Sequence, residues 1–292
     1  MTNDVSNTNS IPALSADFNI GGMLLKMGKI TPQDAERILR VQKERGIRFG
    51  EAAESLGLVS AADINYVLSK QFAYPYLMDG RGDFSENLVA AYDPFSVNVE
   101  KYRAIRSQLM LYWFAQGKKS LSFSSVYEKD DTSDLVANLG VVFSQLGEKT
   151  LIIDAHLDNP RQNRLFNIKS STGLSDILAG RVTDYASSIT RLAEFEHLSI
   201  LSSGTIPPNP RELLGRGFLK QFIASIANDY DAILVDAPAF IRHSEPLSVA
   251  SATDGVVLLA KRHISKANDL SKVVDQLAKI RVPVVGTVLT EN

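Results

Sequence analysis

The stretch SLSFSSVYEKDDTSDLVANLGVVFSQL, Ser120 to Leu146, decides the fold of this chain. Ser120 to Val126 reads as a strand, and Leu135 to Leu146 carries apolar residues at helical spacing. The junction between them, SSVYEKDDTSD, has no glycine and holds two adjacent aspartates, Asp130 and Asp131. In an open parallel sheet such a junction lies at the carboxyl end of a strand, the side on which ligands bind.

The same alternation continues down the chain. KTLIID, LSILSS, DAILVDAP, GVVLLAK and VPVVGTVL are near-continuous apolar runs separated by helix-like segments. Strands of that kind are buried on both faces, so the expected fold is α/β, a mostly parallel sheet covered by helices. Two of the runs end on aspartates, Asp154 and Asp236. A carboxylate there serves either to hold Mg²⁺ beside phosphates or to cap the next turn, and the residues alone leave both open. In SSGTIPPNPRELL, Ser202 to Leu214, Pro207 and Pro208 stiffen a loop, Asn209 caps, and Pro210 opens a helix.

Composition removes several function classes. With 31 Lys+Arg against 33 Asp+Glu the net charge is -2, so no global basic field points to nucleic acid, and none is expected as a partner. The chain has no cysteine and four histidines, which excludes disulfides and thiolate sites and leaves no metal centre expected from the protein alone. No apolar run approaches the roughly 20 residues of a membrane span. A cytoplasmic setting is expected, with any membrane contact made through a partner. The opening residues MTNDVSNTNS are polar, and 1–15 is expected to be a disordered tail.

A repeat follows. IGGMLLKMGKITPQDAERILRVQ from Ile20 aligns without a gap on FGEAAESLGLVSAADINYVLSKQ from Phe49, pairing Gly21 with Gly50, Gly28 with Gly57, Asp34 with Asp63, Leu39 with Leu68 and Gln42 with Gln71. Each copy reads as a short helix ending at glycine, then a Thr31 or Ser60 N-cap and a second helix. Ile38, Leu39, Val67 and Leu68 are expected to face inward. This gives a small helical domain over 16–75, a linker over 76–95 rich in Gly, Pro and Asp, and a large domain over 96–292. The large domain opens with VNVEKYRAIRSQLMLYWF, where Glu100, Arg103 and Arg106 recur at threes on one helix side.

Two resemblances add to these readings. The doubled motif, Asn19 to Gln42 and Arg48 to Gln71 with KERGI between, resembles the N-terminal domain of MshE-type secretion and pilus ATPases. That family binds cyclic di-GMP, which implies Gly21, Gln42, Arg48, Gly50, Glu51 and Gln71 as its contacts here. The first copy departs by carrying Asn19 in the place of the leading Arg.

From Val97 to Leu289 the chain resembles the bacterial tyrosine autokinases of the exopolysaccharide system. ExxRxxR, LIIDAHLDNPR, GLSDILAG, SSGTIPPNPRELL and YDAILVDAPA stand in the family's order. The resemblance implies a P-loop-NTPase-like fold, Asp154 and Asp236 as family catalytic positions, and oligomerisation through Glu100, Arg103 and Arg106. It also implies a partner, the cytoplasmic tail of a membrane chain-length-determinant protein.

The phosphate loop departs from the family's SxxPGEGKST. Overlaid through Ala137 to Leu139, the family's Gly, Gly, Lys and Ser fall on Lys129, Asp131, Thr132 and Ser133, so the hydroxyl alone is kept. At an effective dielectric of 20 a unit charge at 4 Å is worth about 4 kcal/mol before screening, and the added aspartates therefore oppose polyphosphate. His156 and Asp158 replace a further Asp and an Arg of the family pattern, Thr290 replaces a closing Asn, and no tyrosine follows Tyr230. The expectation is a pseudokinase with regulatory or scaffolding duty that senses cyclic di-GMP, with ATP and Mg²⁺ not expected to bind. Its rivals are an active kinase using Lys129 or a partner's cation, and a docking protein that binds no nucleotide.

Overall fold

A computed structural model describes residues 19–71, 74–77, 83–128, 131–241 and 244–291. The expected tail and Lys129 lie outside the described residues. The chain divides into two compact units, with the break after Pro75.

The first unit has four helices, α1 (Ile20–Lys26), α2 (Pro32–Arg45), α3 (Phe49–Ser55) and α4 (Ala61–Gln71). The caps explain where they start. Asn19 accepts a hydrogen bond from the Gly22 N–H at 2.7 Å, so the residue that breaks the repeat is the N-cap of α1. Thr31 with Asp34, and Ser60 with Asp63, form the same reciprocal cap in both copies. Packing crosses between copies: α1 lies on α4 and α2 on α3. Leu24, Ile38, Ala52 and Val67 fill the core. Leu39 is 55% exposed, against the inward placement expected for it. One helical position turns by about 100°, so beside a fully buried Ile38 it looks outward.

The second unit begins at Tyr76. Its elements are α5 (Val89–Tyr92), α6 (Val97–Tyr112), β1 (Ser120–Ser125), α7 (Thr132–Gln145), β2 (Thr150–Asp154), α8 (Gln162–Leu165), α9 (Leu174–Leu178), β3 (Ile189–Arg191), β4 (Leu198–Leu201), α10 (Pro210–Gly215), α11 (Phe218–Ile226), β5 (Ala232–Asp236), α12 (Glu245–Ala252), β6 (Val256–Lys261), α13 (Ala267–Lys279) and β7 (Val284–Thr290). The sheet order is β3-β4-β2-β5-β1-β6-β7, parallel except for β3. The α/β fold with a mostly parallel sheet is as expected. Side chains alternate between its faces: Ile152, Ile200 and Leu234 join the core with α7, whereas Leu151, Ile153, Ile233 and Val235 join the core with α11 and α12.

Part of the span expected as a linker, residues 83–95, packs into the second unit. Leu88, Ala90 and Ala91 are fully buried. Asn138 on α7 accepts from the Ala90 N–H at 2.9 Å and donates to the Asn87 carbonyl at 2.9 Å, and Gln145 donates to the Ala90 carbonyl at 3.0 Å. Two side-chain amides from one helix thus satisfy the backbone of an irregular segment, which lets it enter the core. Asn138→Ala would leave buried backbone groups unpaired. The expected loss is about 2–3 kcal/mol of unfolding free energy, measurable by denaturant titration.

Candidate functional site

Order β2-β5-β1 brings three carboxyl strand ends together beneath the N-terminus of α7. Asp154 and Asp236 are direct neighbours across β2 and β5, and both are fully buried. Their surroundings differ. Asp154 accepts backbone N–H bonds from His156 at 3.1 Å, Arg161 at 3.0 Å and Gln162 at 2.9 Å, so it organises the turn behind it. Asp236 Oδ2 accepts from Gln162 Nε2 at 2.8 Å, and its Oδ1 has no hydrogen-bond partner. His156 Nε2 approaches that oxygen to 3.9 Å.

Burial, and then the charge of Asp236, push the Asp154 carboxyl up to about 7, against the pull of His156 and the backbone N–H groups. Two carboxylates share this buried site, and Asp236 has a cationic partner only when the His156 ring is protonated, so the donor set has room for a cation. Gln162 Oε1 is also buried without a partner. Oxygen-rich sites of this kind suit Mg²⁺, which completes its shell with water or phosphate oxygens. Among the described residues no group of three or more His, Cys, Asp or Glu could hold a metal unaided.

The phosphate-loop region is built around α7. Thr132 and Ser133 sit buried in its first turn, and Gln162 Nε2 bonds the Ser133 carbonyl at 3.0 Å. Asp131 precedes the helix in a left-handed conformation, φ 46°, that glycine adopts without strain. An aspartate thus stands at the start of α7 in a conformation suited to glycine. Sequence reasoning missed two cations here. Arg161 pairs with Asp134 at 3.2 Å, and Lys261, the last residue of β6, reaches Asp131 at 3.6 Å. The rule that ligands collect at strand ends would have singled out Lys261 in VVLLAK. Burial raises the Asp134 carboxyl, partly offset by Arg161.

GLSDILAG and SSGTIPPNPRELL are knitted to each other. Leu174 and Ser175 N–H donate to the Ser202 and Ser203 carbonyls, both at 2.8 Å. Asp176 accepts from the Gly173 N–H at 3.1 Å and the Thr205 N–H at 3.0 Å. Burial pushes its carboxyl up, but these bonds and Arg181 outweigh that and hold it below the usual range.

The remaining candidates lie elsewhere. On α6, Arg103 pairs with Glu100 and with the Pro94 carbonyl, and Arg106 donates to the Val142 carbonyl at 2.7 Å. Both arginines thus make bonds within their own unit. In the first unit Arg48 is the exposed N-cap of α3, and its N–H donates to Glu51 at 3.1 Å. The glycines there serve packing: a Cβ on Gly21 would meet the Phe49 ring at 3.1 Å, and one on Gly50 would meet Ile64 at 3.1 Å. Gln42 and Gln71 are half-buried on α2 and α4. A cavity of about 840 Å³ at the other end of the sheet, beside Lys149, Arg191 and Tyr230, holds none of the expected site residues.

Comparison with known proteins gives a consistent picture. No protein-family model matches the chain. It is 29% identical over 214 residues to the tyrosine-protein kinase YwqD of Bacillus subtilis, covering 73% of this chain and 90% of that protein. It is 31% identical over 198 residues to the putative tyrosine-protein kinase CapB of Staphylococcus aureus, covering 68% and 86%. Similar solved structures include the chimerical protein CapA2B2, with TM-score 0.64, 28% identity and coverage of 76% and 96%. The kinase domain of the Escherichia coli tyrosine kinase ETK has TM-score 0.66, 25% identity and coverage of 70% and 79%. The septum site-determining protein MinD of Pyrococcus horikoshii OT3, complexed with Mg-ADP, has TM-score 0.52, 25% identity and coverage of 59% and 69%.

The last two overturn the expectation that ATP and Mg²⁺ do not bind. That expectation weighed the lost lysine and the added aspartates as though phosphate binding rested on them alone. The backbone of the α7 N-terminus and the paired carboxylates are the parts of such a site that remain here.

Proposed function

Because the chain belongs to the bacterial protein-tyrosine-kinase family, we propose that it is a magnesium-nucleotide-binding pseudokinase that regulates or scaffolds exopolysaccharide production. The observation that carries this reading is the start of α7, where Asp131 and Thr132 occupy the places of the family's Gly and Lys. Asp154, Asp236 and Ser133 supply oxygens for a metal-bound nucleotide. Phosphoryl transfer also needs fixed positive charge on the moving phosphate, and Thr132 brings none. Losing one such transition-state contact costs about 10²–10³ in rate.

The scaffolding part of the proposal draws on α6, where Val97, Leu111 and Tyr112 are 79%, 61% and 70% exposed. With Glu100, Arg103 and Arg106 beside them, these side chains suit self-association into a ring or other homo-oligomer. The partner in this reading is the cytoplasmic tail of a membrane chain-length-determinant protein, which would place the chain in the cytoplasm, peripheral to the inner membrane. Among the described residues no helix is long and apolar enough to cross a membrane.

The first unit is the proposed receptor for cyclic di-GMP. Its support is the doubled motif with Arg48, Gly50, Glu51 and Gln71 in the second copy and Gly21 and Gln42 in the first. One experiment tests both halves: calorimetric titration with Mg-ATP and with cyclic di-GMP, alongside autophosphorylation. The expected result is binding of both, loss of cyclic di-GMP binding in Arg48→Ala, and transfer about 10²–10³ below that of a lysine-bearing relative. Transfer at the relative's rate makes the chain an active kinase. Absence of cyclic di-GMP binding removes the receptor.

A further inference from the structure

The start of α7 and the end of β6 bring together an anion, Asp131, and a cation, Lys261, that the site's family pattern does not assign. We propose that the Asp131 carboxylate stands in for a phosphate in the free protein, held by Lys261, and that Lys261 passes to the nucleotide's phosphates when Asp131 swings out. This rests on the reading that α7 receives a magnesium nucleotide.

Four features of the structure support it. Asp131 lies at the N-terminus of a 14-residue helix, where the backbone dipole favours an anion, yet its side chain makes no capping hydrogen bond. Its carboxylate instead faces Lys261 at 3.6 Å. Asp131 is 61% exposed at the side chain and Lys261 18%, so the aspartate can leave while the lysine stays. The lysine's place is fixed by its strand: β6 is hydrogen-bonded to β1, and the Lys261 N–H donates to Ser265 Oγ at 2.8 Å.

A further feature at the first turn of α7 points independently to a ligand. Asp236 Oδ1 and Gln162 Oε1 are fully buried and have no hydrogen-bond partner among the described residues, and Gln162 is tied to the first turn of α7 through the Ser133 carbonyl. A group that brings a cation to Asp236 and anions to α7 would answer both ends at once. An ion pair at 3.6 Å whose aspartate is 61% exposed is weak, so a polyphosphate displaces that aspartate readily. A lysine from a neighbouring strand end then holds the bound nucleotide's phosphates from the β6 side, which stabilises binding and leaves the moving phosphate without the loop's own lysine.

Mg-ATP and Mg-ADP titrations of the full chain test this, with wild type, Asp131→Gly, Asp131→Asn, Lys261→Met, Lys261→Arg and the Asp131→Gly/Lys261→Met pair. Glycine relieves the left-handed backbone and removes the anion, so Asp131→Gly is expected to bind about tenfold tighter. Asp131→Asn falls between it and wild type. Lys261→Met binds about tenfold weaker, Lys261→Arg stays near wild type, and the loss from Lys261→Met grows in the Asp131→Gly background, where the lysine is already free. Thermal melts without nucleotide check that each variant is folded. If wild type binds and Lys261→Met binds equally well, or Asp131→Gly gains nothing, this proposal falls while the nucleotide site stands. If neither wild type nor Asp131→Gly binds Mg-ATP, the nucleotide site falls and this proposal with it.

Discussion

Asp236→Asn is expected to raise the unfolding midpoint at neutral pH while abolishing magnesium-dependent nucleotide binding. Asn keeps the oxygen that accepts from Gln162 and removes a buried charge that faces another carboxylate. Relief of an unpaired buried charge is worth about 1–3 kcal/mol. At about 2–4 °C per kcal/mol for a unit of this size, that is a shift of several degrees in a thermal melt.

The pH profile carries a second signature. The Asp154 carboxyl sits at about 7 in the folded protein against 3.8 ordinarily. Between those values the folded state therefore binds more protons than the unfolded one. Stability falls as pH rises through that window, with a slope of up to about 1.4 kcal/mol per pH unit. Asp236→Asn removes the charge that helps hold Asp154 up, so the slope flattens. Mg²⁺ with nucleotide offsets the same loss in wild type. A midpoint that drops in Asp236→Asn would mean that the carboxylate is satisfied where it stands.

Gly173→Ala is expected to be the most damaging small substitution in the second unit. A Cβ there would overlap the Ser202 carbonyl oxygen and the Gly204 backbone nitrogen, and backbone cannot rotate away as a side chain can. The φ of Gly173 is −168°, so the cost is steric and owes nothing to conformational preference. About 3 kcal/mol or more is expected, or roughly 6–12 °C in midpoint. Gly215→Ala is the control. A Cβ at that helical position meets nothing within 4 Å, and the substitution should be neutral or stabilising by about 0.5–1 kcal/mol. Equal effects at the two glycines would mean that the backbone bridge between the two loops yields.

Much of this was legible in the chain because burial on both faces leaves an unbroken apolar signal. Five strands were visible that way, and β7 showed an apolar run as well although it lies at the sheet edge and is partly exposed. The seventh, β3, spans three residues, Ile189–Arg191, and pairs antiparallel at the edge, too short to show a pattern. Residues 83–95 were less legible for another reason: their punctuation is that of a loop, while the groups that hold Ala90 in the core, Asn138 and Gln145, lie about 50 residues away. The site was half legible. Asp154 and Asp236 stand out as polar residues ending apolar runs. Lys261 ends an apolar run in the same way, but its role, like those of Arg161 and Gln162, is identified by what it faces across the fold: Asp131, Asp134 and Asp236. The weight given to ATP was misjudged for a related reason, since backbone N–H groups at a helix start have no letter in the sequence.

The crossed packing of the first unit also sets how it must behave. Since α1 lies on α4 and α2 on α3, neither copy of the repeat closes a core by itself. The unit is in effect a homodimer written into a single chain, its two protomers held together by KERGI. Dilution cannot separate them, because the tether fixes each copy's effective concentration around the other. The two halves are nevertheless not identical: Asn19 caps α1 with its side chain, whereas Arg48, at the equivalent position before α3, makes no side-chain cap hydrogen bond.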